Sequence, residues 1–254
     1  MNIKVGVIAG AALLVAWQTQ ATEVNVAVAA NFYKPLQLLV ADYQKQSHDN
    51  VVLSVGSTGK LYAQIVNGAP FDLFLAADQR RPQKLVKDHQ GVASSEFTYA
   101  QGRLIFWSKQ PDLIAQNSDY LKSATFKQLA IANPKAAPYG AASVTVLKKL
   151  GLYKQLQTKL VYGQNIAQTF SYVNYGNVKQ GFVALSQVYR DGKLSQGSGW
   201  IVPNQLYTPI RQDAVLISNS VHKAAAQSFL NYLQSAKAQQ IIRSFGYDIP
   251  KHNQ

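Results

Sequence analysis

The chain has 254 residues, with 25 lysines and arginines against 12 acids, a formal net charge of +13 and no cysteine. The lack of cysteine excludes disulfides, thiol nucleophiles, thiolate metal sites and a lipid tether through a cysteine. The positive charge is scattered (Lys34, Lys45, Lys60, Arg80, Arg81, Lys84, Lys148, Lys149, Arg243) with no dense run. That pattern reads as a solvated surface with a general attraction for anions, and it argues against a nucleic-acid partner.

The N-terminus carries Lys4, an apolar run from Val5 to Ala16, and Thr19-Gln20-Ala21 with small residues where a signal peptidase reads. This predicts a secretory leader over residues 1–21, too short to span a bilayer, leaving roughly 230 mature residues. An exported chain without a lipid anchor is expected to diffuse freely in a bacterial periplasm.

Val24, Val26 and Val28 then alternate with Asn25 and Ala27, which predicts a first strand ending at Ala29-Ala30. Asn31 opens a helix carrying Leu36, Leu39, Val40 and Tyr43, and Pro35 in its first turn fits a beginning better than a middle. Val51–Val55 is a second strand, broken by Gly56-Ser57-Thr58-Gly59. Leu61, Tyr62, Ile65 and Val66 follow at helical spacing, Gly68-Ala69-Pro70 ends the helix, and Phe71–Ala77 is a buried strand. Such a turn places orphan N–H groups and two hydroxyls at a helix N-terminus, a ready anion site. Ser57 and Thr58 taken alone read equally as ordinary N-caps. Gly59-Lys60 is no P-loop, because the first glycine is missing and Leu61 stands where Ser or Thr is required.

A further helix is expected over Asp78–Asp88, and the pattern shifts near Tyr99–Gly102. A second α/β series follows: Leu104–Trp107, Gln128–Ala132, a helix after Pro138-Tyr139, Leu160–Tyr162, a helix after Asn165-Ile166, Gly181–Leu185 and Trp200–Val202. Val215–Ile217 is one more strand, and closing helices carry Phe229, Leu230, Leu233 and Ile242. Alternating strands and helices predict an α/β protein of two lobes, each a mostly parallel sheet flanked by helices. Lobe 1 is expected from residues 22–101 with 209–254 and lobe 2 from 102–208, joined by crossovers near Tyr99–Gly102 and Leu206–Gln212. Ligands of open α/β sheets sit beyond the carboxyl ends of strands. Asn31, Ser57-Thr58, Pro138-Tyr139 and Asn165-Ile166 mark four such turns, two per lobe, facing one cleft.

No enzyme motif stands out. There is no G-x-S-x-G elbow, and His48, His89, His222 and His252 are isolated and lack metal-ligand spacing. Asp72 and Asp78 read as cap or turn carboxylates.

Several blocks carry a family likeness. Ala29-Ala30-Asn31-Phe32, Gly56-Ser57-Thr58-Gly59, Tyr62-Ala63-Gln64-Ile65 and Asn67-Gly68-Ala69-Pro70-Phe71-Asp72-Leu73-Phe74 resemble the first lobe of periplasmic molybdate-binding proteins (ModA). Asn133-Pro134, Ala137-Pro138-Tyr139-Gly140 and Gly181–Leu185 resemble the second lobe. The resemblance spans essentially the whole mature chain. It implies a type II periplasmic-binding fold, the solute-binding component of an ABC importer, that closes on molybdate or tungstate. It also implies a membrane permease as partner, a monomeric state, no cofactor, no directly coordinated metal and no catalytic residue. Asn31 then matches a side-chain donor, Thr58 a residue donating through hydroxyl and N–H, and Tyr139 and Ile166 backbone N–H donors, with Ser57 as neighbour. One departure is Ala184, where the enteric branch has a phenol donor; Tyr139 read alone is a packing aromatic. Donor-only groups favour a fully deprotonated oxyanion, and no carboxylate stands at the four turns to accept from a protonated phosphate. A sulfate-like receptor and, more remotely, a secreted enzyme on the same scaffold are the alternatives.

Overall fold

The computed structural model describes residues 22–250, and the expected leader lies outside the described residues. The chain runs β1 (Glu23–Ala29), a 3-10 turn (Ala30–Phe32), α1 (Tyr33–Tyr43), β2 (Asn50–Gly56), α2 (Thr58–Val66), β3 (Leu73–Leu75), α3 (Arg80–Lys87) and β4 (Phe97–Gly102). It continues through β5 (Leu104–Ser108), α4 (Asp119–Ser123), β6 (Leu129–Ala132), α5 (Pro138–Lys149), α6 (Tyr153–Leu156), β7 (Leu160–Gly163), α7 (Ile166–Asn174) and β8 (Gly181–Ala184). A small hairpin of β9 (Tyr189–Arg190) and β10 (Lys193–Leu194) precedes β11 (Ser198–Ile201), β12 (Ile210–Leu216), α8 (Lys223–Leu233) and α9 (Ala236–Ser244).

Two five-stranded sheets result, ordered β2-β1-β3-β12-β4 and β11-β5-β8-β6-β7. This is the two-lobed periplasmic-binding-protein architecture. In the first sheet β1 pairs parallel with β2 and β3, while β12 runs antiparallel to β3 and β4. In the second, β6 pairs parallel with β7 and β8, while β5 runs antiparallel to β8 and β11. Four of the five strands in each sheet thus run the same way, as expected, and one strand of each, β12 in the first and β5 in the second, runs against the rest. The reason is the double crossing between lobes, because a chain that leaves by one strand and returns by its neighbour must run antiparallel there. The expected crossover segments overlap these paired strands: Gly102 sits opposite Ile210, and only Arg103 separates β4 from β5.

Each sheet is covered on both faces, so its central strands are buried throughout and read as near-continuous apolar runs. In lobe 1, Phe32, Leu36 and Leu39 pack with Phe229, Leu230 and Ile242 on one face. Leu61, Ile65 and Leu85 meet Phe74 and Val215 on the other. The main core of lobe 2 gathers Phe106, Leu147, Leu156 and Phe182, and it continues across the cleft to Ala29, Ala30 and Ala77 of lobe 1. The lobes are thus closed on one another. No helix among the described residues is long and apolar enough to cross a membrane.

Candidate functional site

The closed cleft encloses one small cavity walled by Ala29, Ala30, Asn31, Gly56, Ser57, Thr58 and Ala77 from lobe 1 and by Ala137, Pro138, Tyr139, Asn165 and Ile166 from lobe 2. The four turns expected from the sequence meet here, and all five candidate residues line the cavity. About 10 Å³ of it is open to the centre of a water-sized sphere, the scale of a small inorganic solute and not of an organic one. No Lys, Arg, His, Asp or Glu stands in the wall.

Each wall is a helix start. In α2, Ser57 is the N-cap with extended backbone, yet its side chain makes no capping bond. The Thr58 hydroxyl accepts from the Ala77 N–H at 3.0 Å. Ser57 thus holds the N-cap position, but neither side chain makes the capping bond of a plain N-cap. Thr58 Oγ1 is held as an acceptor across to the β3–α3 turn, so its one proton is left to donate elsewhere. The α2 N–H groups divide: Leu61 N donates to Ser57 O, and Gly59 N donates at 2.9 Å to Ala136 O of lobe 2. A Cβ on Gly59 would sit 3.0 Å from that carbonyl, so only glycine lets the lobes meet there without displacement. In α5, Pro138 occupies the first position and has no N–H, and Ala141 N is the first to bond back, to Ala137 O. Tyr139 and Gly140 keep the free amides. In α7 the Asn165 side chain does cap, accepting from Gln168 N at 2.9 Å, which leaves the Ile166 and Ala167 amides without an intrahelical partner.

Residues 24–248 match the family of bacterial extracellular solute-binding proteins. The chain belongs to this family. It is 51% identical over 243 residues, 96% of each chain, to the molybdate-binding protein ModA of Azotobacter vinelandii. Against the molybdate-binding protein ModA of Rhodobacter capsulatus it is 44% identical over 227 residues, 89% of this chain and 88% of the relative. The solved structure of the Azotobacter vinelandii periplasmic molybdate-binding protein superposes with a TM-score of 0.87 at 38% identity, covering 90% of this chain and 100% of that one.

Behind the cavity of this solute-binding protein lies a buried polar network that no local sequence signal announced. Asn31 Nδ2 donates to Gln212 Oε1 at 2.8 Å and to the Tyr247 hydroxyl at 2.9 Å. Both protons of the carboxamide are thereby engaged within lobe 1, so the expected side-chain donation from Asn31 gives way to what its first-turn N–H can offer. The Asn31 carbonyl accepts from Tyr247 at 2.9 Å and from Ser186 of lobe 2 at 3.0 Å. Tyr99 donates to the same Gln212 oxygen at 3.1 Å, and Gln212 Nε2 reaches the Tyr139 hydroxyl at 3.4 Å.

The Tyr139 phenol thus points at the crossover strands. A Cβ on Gly102 would lie 2.0 Å from its oxygen, so a glycine in β4 makes the room. Ala184 is fully buried in the same apolar cluster as the Tyr139 ring and carries no polar group into the cavity. Burial pushes the Tyr139 and Tyr99 phenols well above their ordinary range and the Tyr247 phenol up to about 12. All three are protonated at neutral pH, and the site is a set of donors with no negative charge.

Outside the cavity, Asp72 accepts from Asn25 N at 2.7 Å and from Ser220 Oγ at 2.6 Å, with His222 Nδ1 at 3.4 Å. His222 is therefore not isolated, contrary to the sequence expectation. Ser220 donates to the carboxylate and not to the imidazole, so this trio holds the start of α8 and lacks the relay a serine nucleophile needs. Among the described residues no group of three or more His, Cys, Asp or Glu is placed to hold a metal.

Proposed function

We propose that this protein captures molybdate, and tungstate as its chemical twin, in the periplasm and delivers it to the membrane permease of an ABC importer. The observation that carries the reading is the wall of the closed cavity: four helix starts converge on it, and no charged side chain stands among them. Each start brings partial positive charge and free N–H groups, which together stabilise a dianion without a counter-ion. The identity to molybdate-binding proteins over nearly the whole chain supports the same ligand.

In this reading Ser57 and Thr58 donate hydroxyl protons, Thr58, Tyr139 and Ile166 donate backbone N–H groups, and Asn31 donates its N–H while its side chain stiffens the turn. The absence of a carboxylate acceptor in the wall disfavours hydrogen phosphate, whose proton needs one. The protein acts as a monomeric receptor and performs no chemistry, since the wall offers neither an acid or base near neutrality nor an activated nucleophile. Residues 22–101 with 209–254 form the lobe that presents Asn31 and Thr58, and residues 102–208 the lobe that presents Tyr139 and Ile166. A leader over residues 1–21 takes the chain to the periplasm.

Isothermal titration of the mature chain with molybdate, tungstate, sulfate and phosphate in one buffer tests this. One-to-one binding of molybdate and tungstate, with sulfate far weaker and phosphate silent, is the expected result. Preference for sulfate would move the protein to the sulfate-receptor reading.

A further inference from the structure

The ligand cavity is neutral, but the groove beside it is not. A trough of about 540 Å³ shares Ala77, Ala137 and Pro138 with the cavity wall and runs into a second one of about 500 Å³ over the Gly59–Ala136 seam. Arg80 and Arg81 of α3, Lys60 of α2 and Arg211 of β12 line this surface from lobe 1, and Lys135 lines it from lobe 2. The one carboxylate in the lining, Asp78, is paired with Arg81. Lys60, Arg80, Lys135 and Arg211 are exposed and have no ion-pair partner among the described residues. The cavity's other bordering recess, lined by Val55, Gln64 and Gln164, carries Lys60 alone.

Taking the oxyanion reading as its premise, we infer that the cationic groove is a capture vestibule: it draws the anion to the seam between the lobes, through which the anion enters the neutral cavity. Each solvated charge of this kind adds little on its own, because water and salt screen it. Summed along a concave surface, such charges raise the local anion concentration and the encounter rate. The division of labour is physical. A cation inside the cavity would attract any anion and release it slowly, whereas cations outside it speed arrival and leave selection to the donors. Lys135 and Arg80 stand on opposite sides of the seam, so both lobes contribute positive charge where they part.

The test is stopped-flow binding of molybdate to the full mature chain. An environment-sensitive dye reports closure from a cysteine introduced at Gln64, an exposed residue of the other recess, away from the three mutated cations, and a unique label in a cysteine-free chain. The triple variant Arg80→Gln, Lys135→Gln, Arg211→Gln is compared with Lys154→Gln, Lys193→Gln, Lys223→Gln, which removes the same charge outside the groove. At low ionic strength the groove triple should bind about tenfold more slowly than the control triple, within the range of electrostatic steering. Its dissociation rate should be unchanged, and the gap should close toward 1 M salt, where the screening length falls to about 3 Å. Equal association rates for the two triples overturn the proposal while the receptor reading stands. A faster dissociation rate with unchanged association also overturns it, since it makes the groove part of the bound state. Failure of the wild-type chain to bind molybdate at all overturns both.

Discussion

Lobe 1 meets the cavity with hydroxyls, Ser57 and Thr58, set on the start of α2, whereas lobe 2 meets it with bare amides that follow Pro138 and Asn165. The difference lies in where the side chains go. Thr58 is anchored by Ala77 N and faces inward. Tyr139 sends its phenol to Gln212, and Asn165 turns its side chain onto its own helix. A wall built from backbone amides tolerates side-chain change, because the donor belongs to the peptide. A wall built from hydroxyls does not. The two lobes therefore respond differently to mutation, although both use helix N-termini.

The largest effect is expected from placing a charge in the hydroxyl wall. Ser57→Asp keeps a favoured N-cap residue, so the ligand-free protein should melt at or above the wild-type temperature. The carboxylate would stand beside the dianion, and one pair of like charges about 4 Å apart repels by about 4 kcal/mol at an effective dielectric of 20. Titration should show molybdate affinity lost by more than about a thousandfold. Binding that survives within tenfold would remove Ser57 from the wall.

Single-donor deletions come next and separate the two kinds of wall. Thr58→Ala should cost about 1.5–3 kcal/mol of binding, the scale of a hydrogen bond to a charged group, with Thr58→Ser close to wild type. In lobe 2 the matching deletion is Ile166→Pro, which removes the amide at a helix position where proline is accepted. Asn165 is already extended (φ −148°, ψ 177°), the backbone that precedes proline. A loss of about 1.5–3 kcal/mol is expected there too, while Ile166→Val binds normally. If Ile166→Val were the damaging change and Ile166→Pro the silent one, lobe 2 would hold its ligand by packing and the contrast between walls would fail.

The smallest effect is expected at the phenol. Tyr139→Phe removes a 3.4 Å contact with Gln212, so it should lower stability by about 1 kcal/mol and leave molybdate affinity within about threefold. A drop comparable to Thr58→Ala would place the phenol on the ligand. The same view predicts binding that is flat between pH 6 and 9. Burial lifts the Tyr247 phenol to about 12, above an unfolded value near 10. Its contribution to stability is complete below pH 10 and disappears as pH climbs through 12. A binding midpoint near pH 6.5 would instead call for a histidine that the wall does not contain.

The sequence by itself determined a good deal, and what it determined is local. Valine alternation announced β1, helical spacing of Leu61 and Ile65 announced α2, and Gly-Ala-Pro after Asn67 ended it. The strand-to-helix turns that carry Asn31, Thr58, Tyr139 and Ile166 were legible for the same reason, since a turn between a strand and a helix is set by neighbouring residues. Two things were decided only by tertiary structure. Thr98-Tyr99-Ala100-Gln101 and Arg211-Gln212-Asp213 have no clean alternation, so the crossover segments did not read as strands; pairing with each other makes them β4 and the first half of β12. The network of Asn31, Gln212, Tyr247 and Ser186 joins residues as many as 216 positions apart. No local pattern encodes such contacts, because burial of each polar group is tolerated only once the fold has brought its partners within hydrogen-bond distance. The donor turns were thus written in the chain, while the direction each donor's side chain takes was written by the closed fold around it.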